Sequence, residues 1–148
     1  AQMTRLEQQM RIRETNAALL DRLLGDVEGV VLLRKDPRIT RHAHHLYMFK
    51  LSPAVADRVA KEDFIAMVNA EGIPITGGYV PLNRNQAILR AIKEWTGEER
   101  IYVCPIAERI CEREALWLPQ NVLLSDEEAM HDIAAAIKKV LRAVLRQK

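Results

Sequence analysis

Residues 71–85 of the chain, EGIPITGGYVPLNRN, combine a helix stop, a glycine pair, an aromatic residue and a group of polar side chains. Gly72 suits the left-handed residue that follows the end of a helix. Pro74 then keeps the helix from resuming, and Ile73 and Ile75 begin an extended run. The segment therefore predicts the end of a helix, followed by extended backbone and a loop.

The glycine pair makes this loop a candidate binding loop. Gly77 and Gly78 have no Cβ, so the backbone can turn there and approach another group closely. Tyr79, Asn83 and Arg84 follow, which places hydrogen-bonding groups directly after the point of closest approach. Binding loops are often built in this way on a rigid element. A plain glycine turn between two strands is the other interpretation that these residues leave open.

Short helices and strands are predicted on both sides of this segment from the spacing of apolar residues and from Gly and Pro. The predicted strands cover residues 30–33, 44–51 and 115–118, and Pro119 stops the last of them. The predicted short helices are a turn at Pro53 and residues 61–71, 85–95 and 106–114.

Two long amphipathic helices frame these elements. The first covers residues 2–24, and the last begins at a capping box formed by Ser125 and Glu128. The strands are separated too irregularly for repeated parallel units. We therefore expect one α+β domain over residues 1–148, with a small, mostly antiparallel sheet and helices packed on one face.

The charge balance argues against a nucleic-acid partner. The chain has 22 basic and 20 acidic residues, for a formal net charge of +2. Basic residues gather only in the last helix, where they complement the negative end of the helix dipole. These residues are Lys138, Lys139, Arg142, Arg146 and Lys148.

The chain has no apolar run long enough to span a membrane and no signal-peptide pattern, so we expect no membrane partner. Its two cysteines, Cys104 and Cys111, do not make a disulfide framework, which favours a reducing cytoplasm. The chain opens on Ala1, already inside a predicted helix. We expect it to be a piece of something longer.

Two further groups of residues invite chemical interpretations. His42, His44 and His45 can suggest a metal site, but Cys104, Cys111 and His131 offer no ligand pairing at short spacing, so we expect no metal. A histidine cluster at a strand edge is the favoured alternative. Cys104 precedes a helix that Pro105 opens, where a thiol pKa is lowered, but no partner histidine can be assigned. A small buried core residue is the favoured interpretation of Cys104.

Five segments, in this order, resemble the carboxy-terminal small domain of the DegT/DnrJ/StrS family of sugar aminotransferases. The resemblance covers essentially the whole chain. RHAHHLYMFKL is similar to the family's H-x-x-H-L-Y strand, and the segment around the glycine pair is similar to its G-I…Y-x-P-L loop. The segments are RLEQQMRIRETNAALLDRLL, GDVEGVVLL, RHAHHLYMFKL, EDFIAMVNAEGIPITGGYVPLNRN and CPIAERICEREALWLPQNVLLSDEEAMHDIAAAIKKV.

The resemblance implies a fold-type I enzyme that depends on pyridoxal phosphate (PLP) and a chain that lacks the PLP-binding large domain. In the family, PLP is held by a lysine of the large domain that follows a small, serine-rich segment. None of this chain's lysines has that context: Lys35, Lys50, Lys61, Lys93, Lys138, Lys139 and Lys148. We therefore expect no PLP on this chain alone, no catalytic residue in it and no transaminase activity without the large domain.

By the same resemblance, the domain closes over the substrate. The expected substrate-binding residues are Tyr79, Asn83 and Arg84, and the expected supports of their loop are Gly77, Gly78, His45 and Tyr47. Family members that act on sugar nucleotides often carry His where this chain has Asn83. The pair Arg84-Asn85 resembles members that aminate keto-cyclitols.

The resemblance also implies partners. These are the chain's own large domain, a second subunit in a homodimer, a keto-sugar or keto-cyclitol substrate and an amino-acid donor. A stand-alone, non-catalytic binding domain of the same fold is the alternative. A separated piece should expose apolar residues of its first helix, whereas a stand-alone domain should not.

Overall fold

The structure is a computed structural model that describes residues 3–146. The helices and strands of this part, in chain order, are α1 Met3–Leu24, β1 Val30–Leu32, β2 Leu46–Leu51, α2 Pro53–Ala56, α3 Lys61–Ala70, α4 Gln86–Thr96, α5 Pro105–Arg109, β3 Ala115–Pro119 and α6 Glu127–Arg146. A π-helical turn, Ile110–Glu114, joins α5 to β3, and Leu82–Arg84 and Val122–Leu124 form 3-10 turns. The predicted helix start at Gln2 and the terminal Lys148 lie outside the described residues.

The three strands form an antiparallel sheet in the order β1-β2-β3. Phe49 of β2 lies opposite Leu32 of β1 and Leu116 of β3, so the central strand is paired along both edges. Beyond β3 the sheet gains a single bridge between Thr76 and Trp117. The predicted antiparallel sheet is confirmed.

Helices cover one face of this sheet. Alternate residues of β2 and β3 are buried on that face, among them Phe49, Leu116 and Leu118, because successive side chains of a strand point to opposite faces. On the other face, Met48 is 37% exposed and lies opposite Trp117. The predicted α+β class, with helices on one face, is therefore confirmed.

The two long helices complete the core. The apolar stripe of α6 is buried in the core, where α6 packs on α1 and α3, as its periodicity predicts. The buried residues of this stripe are Met130, Ile133, Ala134, Ala136, Ile137, Val140, Leu141 and Val144. The first turns of α1 are less buried than the stripe of α6, since Met3 is 78% and Leu6 is 42% exposed.

The start of α6 corrects the predicted capping box. The helix begins at Glu127, and Oδ1 of Asp126 accepts a hydrogen bond of 3.0 Å from the backbone amide of Ala129. Asp126 is therefore the N-cap, and the predicted pair of Ser125 and Glu128 is wrong. Ser125 instead follows the preceding 3-10 turn, which its own amide closes by donating to Val122 O.

The start of β2 also differs from the prediction. His44 and His45 precede the strand, which begins at Leu46. His44 has a φ of 45°, a left-handed conformation that cannot continue a strand. In the described part of the chain, no helix has the length and apolarity needed to cross a membrane.

Candidate functional site

The glycine loop lies against the indole of Trp117. The amide of Thr76 donates to Trp117 O and the amide of Trp117 donates to Thr76 O, both at 3.0 Å. Two residues later, Gly78 has a φ of +86°, and a Cβ added there would lie 2.2 Å from Trp117 Cη2. The close approach expected of the glycine pair is therefore real, and the group approached is a side chain of β3.

Tyr79 is presented to solvent on top of the same indole. Its ring centroid lies 5.2 Å from that of Trp117, with an angle of 53° between the planes, while the residue is 74% exposed. Tilted aromatic pairs of this kind hold each other in place. Tyr79 thus offers a supported ring and a hydroxyl at the surface of the loop.

A buried lysine fixes the first glycine of the pair. Lys61 is 7% exposed, and its ammonium donates to Gly77 O at 2.9 Å and to Cys111 O of the π-helical turn. A Cβ on Gly77 would lie 2.9 Å from Lys61 Cε. The lysine therefore ties α3, the glycine loop and the π-helical turn together.

Asn83 and Arg84 meet at one carboxylate, that of Glu108 on α5. The Asn83 amide nitrogen donates to Glu108 Oε1 at 2.5 Å, and Arg84 Nη2 donates to Oε2 at 2.7 Å. Asn83 also donates to Tyr102 O at 3.0 Å, and the backbone amide of Cys104 donates to Glu108 Oε1 at 2.9 Å. The structure therefore brings Asn83 and Arg84 together.

These contacts keep Glu108 charged. The hydrogen bond from the Cys104 amide and the contact with Arg84 hold the pKa of the Glu108 carboxyl below its ordinary value, and Asn83 adds to this effect. In return, Glu108 raises the pKa of Arg84. Glu108 and Arg84 therefore form an ion pair, and the Asn83 amide is hydrogen-bonded to the same carboxylate.

A cleft of about 470 Å³ lies next to this group. Asn83, Arg84 and Tyr102 line it, together with five further polar residues and two apolar ones. Its cationic residues are Arg84, Arg90, Lys93 and Arg100, against the acidic Glu99. Such a lining can bind hydroxyl groups and anionic groups through hydrogen bonds and charge.

The two strand residues expected to support the loop lie elsewhere. Tyr47 is 4% exposed on the helix-covered face of the sheet, and its hydroxyl donates to Asp21 of α1 at 3.0 Å. Trp117, which carries the glycine loop, belongs to the opposite face. His45 is exposed and precedes β2. The supports of the loop are instead Trp117 and Lys61.

His42 and His44 line a second cleft, of about 380 Å³, between α1 and the loop before β2. The amide of His44 donates to His42 Nδ1 at 3.0 Å, and the two rings lie 4.4 Å apart. Burial lowers the pKa of His44, as does the nearby His42. The pair lies in a loop rather than at the expected strand edge. Among residues 3–146, no group of three or more His, Cys, Asp or Glu side chains is arranged to hold a metal ion.

The expected burial of Cys104 is wrong. Cys104 is exposed at the N-cap position of α5, and Cys111 is half-buried in the π-helical turn. Cys104 stays at the surface because α5 itself buries none of its residues.

Three residues that position the loop were missed by the sequence reasoning: Lys61, Glu108 and Trp117. Glu108 lies in the segment C-P-I-A-E-R, whose resemblance to a family motif was the available signal. Trp117 occupies a strand position that alternates with buried leucines, which indicates an outward side chain. For Lys61 the sequence offers no signal, since a lysine in the first turn of a helix is usually solvated.

The chain is similar to curated aminotransferases over most of its length. Over 150 residues, it is 33% identical to the L-glutamine:2-deoxy-scyllo-inosose aminotransferase of Streptomyces fradiae. The aligned region covers 95% of this chain and 35% of that enzyme. It is 28% identical over 138 residues to the 3-amino-5-hydroxybenzoate synthase of Amycolatopsis mediterranei, over 93% of this chain and 35% of that enzyme. The chain thus spans about a third of the length of these relatives.

Solved structures agree in fold. The crystal structure of a 3-amino-5-hydroxybenzoic acid synthase matches 97% of this chain and 37% of the synthase chain, with a TM-score of 0.77 and 26% identity. The aminotransferase TlmJ from Streptoalloteichus hindustanus shows the same fold, with a TM-score of 0.75 and 22% identity. The family model of the DegT/DnrJ/EryC1/StrS aminotransferases matches residues 1–138. The chain belongs to this aminotransferase family.

Proposed function

We propose that this chain is the C-terminal domain of a PLP-dependent aminotransferase that acts on a keto-cyclitol or keto-sugar. The observation that carries the proposal is its similarity, over 95% of its length, to one third of an enzyme named for 2-deoxy-scyllo-inosose as substrate and L-glutamine as amino donor. The domain closes over the substrate and contributes dimer surface. An amino-acid donor and a cytoplasmic location belong to the same proposal.

An exposed apolar surface supports the presence of protein partners. Between residues 79 and 106, large apolar side chains are open to solvent, and α4, although amphipathic, buries none of its residues. We call this region the apolar surface; its residues are Tyr79, Val80, Leu82, Trp95, Ile101, Tyr102, Val103 and Ile106. So many large apolar side chains open to solvent in one segment of the chain are typical of an interaction site. The partners are a large domain of the same enzyme and a second subunit.

The residues of the described part do not fit PLP. A Schiff base needs a lysine whose amine is free to react, within a cradle for the phosphate. Among residues 3–146, Lys61 is the buried lysine, and its ammonium already donates to two backbone carbonyls. PLP therefore belongs to the rest of the enzyme, and the chain alone is inactive as a transaminase.

In the proposed enzyme, Tyr79, Asn83 and Arg84 bind the substrate. Tyr79 offers a ring to the apolar edge of a cyclitol and a hydroxyl to one of its oxygens. Asn83 and Arg84 offer hydrogen bonds to the hydroxyl groups of the substrate beside the cleft. These contacts orient the substrate; the chemistry takes place at the PLP of the large domain.

A chimeric enzyme tests this proposal. The C-terminal third of the Streptomyces fradiae aminotransferase is replaced by this chain, and amination of 2-deoxy-scyllo-inosose with L-glutamine is measured. We expect activity from the chimera and none from this chain alone. The absorbance of bound PLP and the dimer mass show that the chimera is assembled.

Two outcomes count against the proposal. An assembled, PLP-loaded chimera that aminates neither a keto-cyclitol nor a keto-sugar would favour a stand-alone binding domain. An active chimera in which Tyr79→Phe and Asn83→Ala leave kcat/KM unchanged would remove these residues from substrate binding.

A further inference from the structure

Glu108 joins two segments that are distant in sequence. Its side chain is 14% exposed and lies on α5. It accepts from the Asn83 amide at 2.5 Å, from Arg84 at 2.7 Å and from the Cys104 amide at 2.9 Å. One carboxylate therefore connects the 3-10 turn after the glycine loop with the start of α5.

The chemistry of these contacts fixes the orientation of the Asn83 side chain. Its partners are Glu108 Oε1 and Tyr102 O, and each of these oxygens accepts but cannot donate. The amide nitrogen of Asn83 must face them. Its Oδ1 is then directed away from both and stays available to accept from a hydroxyl group.

Arg84 is held in the same way and keeps part of its donor capacity. One guanidinium nitrogen, Nη2, donates to Glu108. A guanidinium has five N–H groups, so others remain for a ligand. Arg84 is 53% exposed beside the 470 Å³ cleft that it lines with Asn83.

We infer that Glu108 is the positioning residue of the substrate-binding turn: its carboxylate orients Asn83 and Arg84 so that an acceptor and N–H donors face a polyhydroxylated ligand. The inference rests on the proposed function for the identity of the ligand. Its geometric part concerns this chain alone and is tested on it separately.

Charge is part of this role. A glutamine at position 108 can still accept through its carbonyl oxygen from Cys104 and Asn83, but it loses the ion pair with Arg84. An alanine loses all three contacts. The Glu108→Gln and Glu108→Ala variants therefore separate the charge from the hydrogen bonds.

The first test uses NMR on the 148-residue chain. In the wild type, the Cys104 backbone amide and the Asn83 side-chain amide should shift together as acid protonates Glu108, with a common midpoint below that of an ordinary glutamate. Glu108→Gln should abolish this shared titration while the chain stays folded. Glu99→Gln, which removes an exposed ion pair with Lys93, is the matched control and should leave it intact.

Hydrogen exchange gives a second readout on the same chain. Glu108→Ala should speed exchange of the Cys104 amide about tenfold or more, because that amide loses its acceptor, while exchange in the core of α6 stays unchanged. Independent titration of the two amides in the wild type, or unchanged exchange at Cys104 in Glu108→Ala, would overturn the inference.

The chimeric enzyme tests the link to substrate. Glu108→Ala should raise KM for the keto substrate about tenfold with a smaller change in kcat and with bound PLP unchanged. A merely structural role would lower the PLP-loaded fraction and leave KM unchanged, which would overturn the inference. A PLP-loaded but inactive chimera, with the shared titration intact on the chain alone, would overturn the proposed function and not the positioning by Glu108.

Discussion

At the scale of single residues, the tightest contact of the loop is that of Gly78 with Trp117. Gly78→Ala would place a Cβ 2.2 Å from Trp117 Cη2 on a backbone with a φ of +86°. We expect a loss of about 2–4 kcal/mol in the free energy of unfolding, from backbone strain and overpacking together. Urea denaturation measures this loss.

Gly72→Ala is the matched control for this substitution. Gly72 has a φ of +85° but nothing within 4 Å of an added Cβ. It should therefore cost only the backbone strain, about 1–2 kcal/mol. Equal losses in the two variants would show that the loop moves away from Trp117 without cost.

The hydroxyl of Tyr47 gives a prediction about pH. Burial raises the pKa of Tyr47, and the neighbouring Asp21 raises it further. Because the fold favours the neutral hydroxyl, its stabilising contribution is complete below about pH 10 and is lost as the pH rises beyond that value.

Tyrosinate absorbance tests this directly. Up to about pH 10.5 the native wild type and native Tyr47→Phe should form the same amount of tyrosinate, since Tyr47 stays protonated. In denaturant the variant should form about a third less, because the chain has three tyrosines. A deficit in the native variant would mean that Tyr47 ionises in the fold. Loss of its hydrogen bond to Asp21 should cost about 1 kcal/mol.

At the scale of secondary structure, the start of α6 depends on Asp126. Its Oδ1 accepts from the Ala129 amide, which has no partner within the helix. Asp126→Ala should lower the free energy of unfolding by about 1 kcal/mol. Ser125→Ala is the neighbouring control and should change it by less than about 0.5 kcal/mol. The reverse order, seen in thermal or urea unfolding, would restore the capping box predicted from the sequence.

At the scale of the whole molecule, the apolar surface between residues 79 and 106 should make the isolated chain associate with itself and bind a hydrophobic dye. Trp95 is 95% and Ile101 is 86% exposed, so neither contributes much to the core. The double variant Trp95→Ser/Ile101→Ser should lower dye binding by about half or more and change the free energy of unfolding by less than about 0.5 kcal/mol.

Ile39→Ser is the control, because Ile39 is an exposed apolar residue outside this surface. It should leave dye binding unchanged. A wild-type chain that is monomeric by light scattering and binds no dye would contradict the view that this surface is covered by a partner.

The class and order of the elements were predictable from local signals. The alternating residues of β3 and the apolar stripe of α6 predict which side of each element is buried, and both predictions were confirmed. The stop at Gly72 and Pro74 follows from backbone geometry, and α3 ends at Ala70. Such features depend on residues a few positions apart, so the sequence determines them.

What the sequence did not determine depends on groups that meet across the fold. Glu108 and Asn83 are 25 positions apart, and Lys61 and Cys111 are 50 apart. Their contacts exist only after β3 has brought α5 and the π-helical turn beside the glycine loop. Tyr47 was predicted to support the loop, but the pleat of β2 places its side chain on the helix-covered face of the sheet, opposite to Trp117. Local periodicity thus determined which elements form, and tertiary packing alone decided which side chains hold the candidate site.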